Sequence, residues 1–225
     1  MITTVALVGA TVKRMSERRT RVDGDASRRR ILDAVAEIAG ERGYEATSIS
    51  LVSQRSGLPA SSIYWHFKDK DGLIAAVIDD SYHRWSDSFP DLAHPPDPGT
   101  VPDPDAAFAA GFRATGASLA QFPDFVRLGL MLVLEHRPTE PTGRRKFLDI
   151  RLDVLSRLRD VLHLLYPDLD PDRIDALARL SLALTDGYFI AAEAGELDLT
   201  HAHTIIAQAV TSTARALPRN HDPTA

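Results

Sequence analysis

The chain has 225 residues, room for one large domain or for a small domain joined to a larger one. Its apolar fraction, 44%, is that of an ordinary globular protein, and the lack of any cysteine excludes disulfides, thiolate catalysis and cysteine-type zinc sites. The net charge of −5 hides an asymmetry: residues 1–70 hold 12 Lys/Arg against 8 Asp/Glu and the remainder 14 against 23, so a basic head, of the kind phosphate backbones attract, precedes an acidic body.

The opening MITTVALVGATVKR carries a short apolar run whose positive charges follow it, the reverse of a secretory signal, and the run is too short to span a bilayer. It reads as a flexible leader. From residue 27 onward nearly everything has helical period and no alternating strand stands out. Residues 27–42 put Ile31, Val35, Ile38 and Ala39 on one face, with Arg28–Arg30, Glu37 and Glu41 outside, and Gly43 ends that helix. Thr47 and Ser48 are N-cap candidates for a short helix near 48–55. Gly57 and Pro59 force a break, and Pro59 fits the first turn of a helix running to about Trp65. Asp69 caps a longer helix through about Ser86, with Leu73, Val77 and Ile78 inward. Residues 90–104, rich in proline, are a linker or surface loop. Further helices are expected at 105–120, 124–136, 143–165, 171–194 and 200–217, separated by breaks at Pro123, Pro138, Pro141, Pro167 and Pro171.

Two short helices joined across residues 55–59 make a helix-turn-helix, with Gly57 supplying a turn that is costly for other residues. Ile49, Val52, Leu58, Ile63 and Phe67 can close a small core with Ile31, Val35 and Ile38. Ser61, Ser62, Tyr64, Trp65 and His66 are then left on or near the exposed side of the second helix, where hydroxyls and rings reach base edges, thymine methyls and phosphates. Lys68, Lys70 and the amides opening the next helix add charge suited to phosphate. The plainer assignments are packing for Phe67, packing or contact for Tyr64 and Trp65, and an ordinary surface role for His66. Arg18, Arg19, Arg21 and Arg28–Arg30 form either a solvated arm or one that follows the minor groove.

The run Gly43-Tyr44, Thr47-Ser48-Ile49, Arg55-Ser56-Gly57-Leu58 and Ser62-Ile63-Tyr64-Trp65-His66-Phe67, followed by Lys70 and Leu73, resembles the N-terminal domain of TetR-type transcriptional regulators over about residues 27–75. The resemblance implies an all-helical homodimer that binds a palindromic double-stranded DNA operator with its head and a small effector with its body, most such proteins being repressors. By position it implies that Thr47 and Ser48 contact phosphate and cap the helix before the turn. Pro59, Ala60, Ser61 and Ser62 would open the reading helix, Tyr64 and His66 would contact backbone and groove, and Lys70 would be the phosphate lysine. Leu51, Ser61 and Pro59 depart from residues frequent in the family, which leaves base preference undetermined.

The body offers no catalytic constellation. Residues 168–175 mimic the start of a calcium loop, but Arg173 stands where glycine is needed and Arg179 where a glutamate should bind, so a helix cap with surface acids is the reading. His201 and His203, two apart, point away from each other on a helix. Residues 125–134 are apolar nearly all round and belong in the centre. Phe108, Phe112, Phe122, Phe125, Met131, Phe147 and Tyr188 are either core or the lining of an effector pocket suited to an apolar or aromatic ligand. Leu177, Leu180, Leu184, Tyr188, Ala191, Ile205, Ile206, Ala209 and Val210, with small residues such as Ala178, Ala183, Ala192, Ala202 and Ala207, resemble the family's dimer face, for which Leu177, Leu184, Ile205 and Ala209 stand.

The expected architecture is all-α: a flexible basic arm over 1–26, a three-helix helix-turn-helix DNA-binding domain over 27–72, a larger helical effector-binding and dimerisation domain over 73–217 and a flexible tail over 218–225. The expected function is a cytoplasmic, ligand-responsive transcriptional repressor, not an enzyme, with no cofactor, metal or membrane partner. Two rivals are a helical enzyme or carrier using the apolar cavity, which lacks an acid/base pair, and a protein-interaction module, whose binding would depend weakly on salt.

Overall fold

The computed structural model describes residues 2–88, 101–135 and 142–217, with side chains from Asp23 onward except those of Tyr44 and Thr200. Most of the proline-rich stretch, Pro138, Pro141 and the tail at 218–225 lie outside the described residues. Nine helices run in order among the described residues: α1 Ile2–Ala46, α2 Ile49–Ser56, α3 Ala60–His66, α4 Lys70–Ser86, α5 Pro104–Gln121, α6 Asp124–Leu134, α7 Thr142–Leu165, α8 Pro171–Glu193 and α9 Leu199–Ala216. The segment expected as an arm is helical from Ile2, and the helix expected over 27–42 is the far end of α1. Gly43 breaks α1 with φ 79° and ψ 173°, a backbone that side chains disfavour, before one last turn to Ala46.

Caps fix most of the other helix starts. Ser48 accepts from the Leu51 amide, Asp69 from Gly72, Asp103 from Ala106, Asp170 from Arg173 and Asp198 from His201. Asp170, in the calcium-like stretch, is thus an ordinary helix cap. Gly57 closes α2 in the left-handed region at φ 66°, its N–H donating to the Ser53 carbonyl. Pro59 sits one place earlier than its sequence reading, as the extended residue before α3.

Two apolar cores hold the molecule. The first joins Ile31, Val35 and Ile38 of α1 to Val52, Ile63 and Phe67, and continues without interruption through Leu73, Ile74 and Val77 of α4 to Leu128, Leu132 and Phe147 of α6 and α7. The second packs Phe108 and Phe112 of α5 against Leu155 and Leu162 of α7, Leu177 of α8, and Ile206 and Val210 of α9. Helix α4, which contains the boundary drawn at residue 72, therefore belongs to the same apolar body as the head.

Candidate nucleic-acid interface and core cavity

Helix α3 has seven residues and one buried side chain, Ile63, which anchors it on the head core. Its neighbour in sequence, Phe67, is 7% exposed and takes the guanidinium of Arg28 over its ring at 5.6 Å, so its role is packing. The opposite side of α3 is open: Tyr64 is 57% and Trp65 76% exposed, and Pro59, Ala60 and Ser61 are exposed with them. Ser62 and His66 are half-buried. Trp65 meets His66 edge to face at 4.5 Å between centroids and lies near Gly24 of α1, where an added Cβ would stand 3.8 Å from the indole. Burial first, and the Arg28 charge second, hold the His66 imidazole below its ordinary pKa. A large aromatic pair facing water on a short helix is costly unless another surface covers it.

Thr47 and Ser48 divide their work. Thr47 is 1% exposed and its hydroxyl donates to the Gly43 carbonyl, so its side chain does not reach the surface. Ser48 caps α2 through Oγ. Lys70 Nζ donates to the Glu45 carbonyl at 3.1 Å and lies 3.8 Å from its carboxylate, which ties the start of α4 to the end of α1.

The arginines of residues 28–30 turn three ways. Arg28 covers Phe67, Arg29 pairs with Asp80 of α4 at 2.7 Å, and Arg30 donates to the Ser56 carbonyl at 2.6 Å. Adjacent residues on a helix lie 100° apart, so one run of like charge must face several neighbours. The Arg30 guanidinium also stands 3.2 Å from where a Gly57 Cβ would be, which leaves the turn little room for a side chain. Arg55 of α2 bonds both Glu37 and Glu41 of α1, and its hydrogen bond holds the Glu41 carboxyl below the usual carboxylate range. Arg30 and Arg55 tie α1 to the helix-turn-helix and Arg29 ties it to α4; the sequence reading placed Arg29 and Arg30 on the outside of the first helix, as a solvated or groove-following arm.

Between the two apolar cores lies a cavity of about 800 Å³, bounded by α4, α5, α6, α7 and α8. Phe108, Phe112, Phe125 and Phe147 line it, four of the seven residues expected to do so. The other three lie elsewhere. Phe122 packs on the first core under the Arg84 guanidinium, Met131 is partly exposed with Cε beside Gly43, and Tyr188 packs on the second core. Trp85, Ile150, Val154, Leu158 and Leu182 complete much of the apolar wall. Trp85 lies in the last turn of α4 and was not singled out in the sequence, where its position looks like any other core tryptophan.

On the outer side of α8 and α9, Ala183, Gly187, Ile190, Ile205 and Ala209 are exposed. Leu177, expected on this face, is 1% exposed and faces inward, and Leu184 is half-buried on the second core. Ala178, Ala202 and Ala207 are likewise consumed by packing inside the chain, because α9 lies close against both α5 and α8. Among the described residues no single helix is long and apolar enough to cross a membrane.

Residues 31–77 match the family model described as bacterial regulatory proteins, tetR family. Curated relatives include the HTH-type transcriptional regulator AcrR of Shigella flexneri, 32% identical over 60 residues, which are 27% of this chain and 28% of that one. Another is TtgR of Pseudomonas putida, 31% identical over 70 residues, 31% of this chain and 33% of that one. The matched stretch thus spans a third or less of either relative's length. Whole-chain likeness is structural: a TetR-like transcriptional regulator from Rhodococcus sp. RHA1 superposes with a TM-score of 0.63 at 15% identity, covering 85% of this chain and 97% of that one. The regulator PfmR from Thermus thermophilus does so with a TM-score of 0.62 at 20% identity, covering 84% and 99%.

Proposed function

We propose, for a chain that belongs through its N-terminal domain to the tetR family of bacterial regulatory proteins, a ligand-responsive transcriptional repressor acting in the cytoplasm as a homodimer on a palindromic operator. The observation that carries this is the outward pair Tyr64 and Trp65 on a short helix whose only buried residue holds it to the head core. Ser61, Ser62, Tyr64, Trp65 and His66 would meet the groove. Pro59, Ala60, the Ser48 cap and Lys70 would lie along the phosphates, with Lys70 exchanging its Glu45 partner for one. Two such heads about 34–36 Å apart would read successive major grooves.

The effector would occupy the cavity between the cores. Its only leverage is the difference between its affinities for the DNA-competent state and for a state with altered head spacing. Both α4 and α6 reach the cavity and the head core, through Trp85 and Leu73 on one and Phe125 and Leu132 on the other, so a change in cavity shape has a route to head position.

Selection of genomic fragments by the purified protein, followed by fluorescence anisotropy on the recovered palindrome, tests the reading. Tyr64→Ala should weaken operator binding at least about tenfold, since stacking and groove contacts of this kind contribute on the order of 1–3 kcal/mol each. Because Tyr64 is exposed, its loss should leave the thermal midpoint unchanged. Recovery of no palindrome would overturn the assignment.

A further inference from the structure

Five aromatic rings face the cavity: Trp85, Phe108, Phe112, Phe125 and Phe147. Four charged side chains face it as well, and both cations among them are already held. Arg151 is bidentate on Asp186, at 2.9 and 2.7 Å, and Arg157 Nε lies 2.9 Å from Asp153. The fourth group, Asp87, has no ion pair among the described residues, and the sequence contains no lysine or arginine between Arg84 and Arg113. Asp87 is also the C-cap of α4, where the last carbonyls of a helix favour positive charge. An incoming anion meets two arginines that each already hold a carboxylate, Arg151 through a bidentate pair and Arg157 through Nε. An incoming cation meets a carboxylate without an ion pair among the described residues, a helix C-terminus and aromatic rings, whose faces attract positive charge.

The shape of the space comes from α5. Ala107, Ala110, Gly111 and Ala114 recur at helical spacing along the cavity, and a Cβ added at Gly111 would meet nothing within 4 Å. Small side chains on that face leave the space between α5 and α7 unfilled, so the gap follows the helices and suits an extended ligand body.

We propose that the cavity takes an elongated lipophilic cation of the quaternary-ammonium class, its alkyl or aryl body lying between α5 and α7 and its charged end at Asp87. The proposal rests on the assignment of this cavity as the effector site. The chain has two tryptophans, and Trp65→Phe leaves Trp85, on the cavity wall, as the only emitter. That variant is titrated with decyltrimethylammonium, decanol and decanoate, three probes of one chain length and three charges, each below its micelle concentration. The ammonium should bind about tenfold tighter than decanol, and decanoate should bind more weakly than either. Asp87→Asn should bring the ammonium to the level of decanol and leave decanol unchanged. Decanoate binding as tightly as the ammonium, or an ammonium affinity indifferent to Asp87→Asn, overturns the cationic class while leaving the cavity as effector site. Silence of Trp85 toward all three probes overturns the effector assignment itself.

Discussion

His203 is the one imidazole sealed inside the described structure, and its surroundings define both its tautomer and a pH response. Its Nδ1 lies 2.9 Å from the Leu199 carbonyl, so the proton sits there, and Nε2 is buried without a hydrogen-bond partner. The ring rests on Gly116 of α5, where an alanine Cβ would stand 2.2 Å from its Cγ, and 5.4 Å from the Phe112 centroid. Glycine is required at 116 because a ring fills the place of its side chain. Burial depresses the imidazole pKa, outweighing the Leu199 hydrogen bond. A histidine depressed on folding contributes stability that is complete above its unfolded pKa, about 6.5, and is lost as pH falls toward the folded value, because the unfolded chain binds the proton first. Urea unfolding of the native chain should therefore give a stability that falls as pH is lowered from about 6.5, and His203→Gln should remove up to one proton's worth of that slope. Equal slopes in the two proteins would show that His203 titrates alike folded and unfolded.

At the scale of the element, helix limits were legible because caps and prolines are local chemistry. Asp69 and Pro171 act where the sequence places them, and the helices expected at 105–120 and 143–165 are found at Pro104–Gln121 and Thr142–Leu165. Facing was less legible. Leu177 has the period of an outer stripe but is claimed by the second core, and Gly129 yields its Cβ space to the Phe147 ring on another helix, at 2.1 Å. Both depend on which helix lies alongside, which periodicity does not encode. The same applies to the ties between α4 and α7. Asp71, on the first turn of α4, accepts from the Thr142 and Gly143 amides at 2.6 and 3.3 Å, so α4 caps α7 from outside its own chain segment. Lys146 pairs with Asp79 at 3.1 Å, and Tyr82 donates to Asp153 further along. Three ties along one helix pair make α4 and α7 move together, and α7 carries much of the cavity wall. Asp71→Ala should cost about 0.5–2 kcal/mol, as loss of an N-cap does, with Asp71→Asn recovering part of it in urea unfolding. A neutral Asp71→Ala would mean that water caps α7 equally well.

For the molecule as a whole, the charge asymmetry between head and body was plain in the sequence, while the face expected to join two subunits keeps only some of its expected residues at the surface. Five residues on the outer side of α8 and α9 are small or apolar and exposed, with Ile190 at 51% and Ile205 at 38%. If two copies meet there, Ile190→Glu buries an unpaired carboxylate in the interface and should yield a monomer in sedimentation, with helical content unchanged because the residue is largely exposed within one copy. The monomer also separates the contributions of the two heads. On the proposed function each head would displace its own set of counterions from the phosphates, so the slope of log K against log salt for operator binding should halve in Ile190→Glu, while Tyr64→Ala should keep most of its slope and lose affinity. A monomer with an undiminished slope would place the phosphate contacts of both half-sites on one subunit, a footprint too long for a head whose reading helix has seven residues.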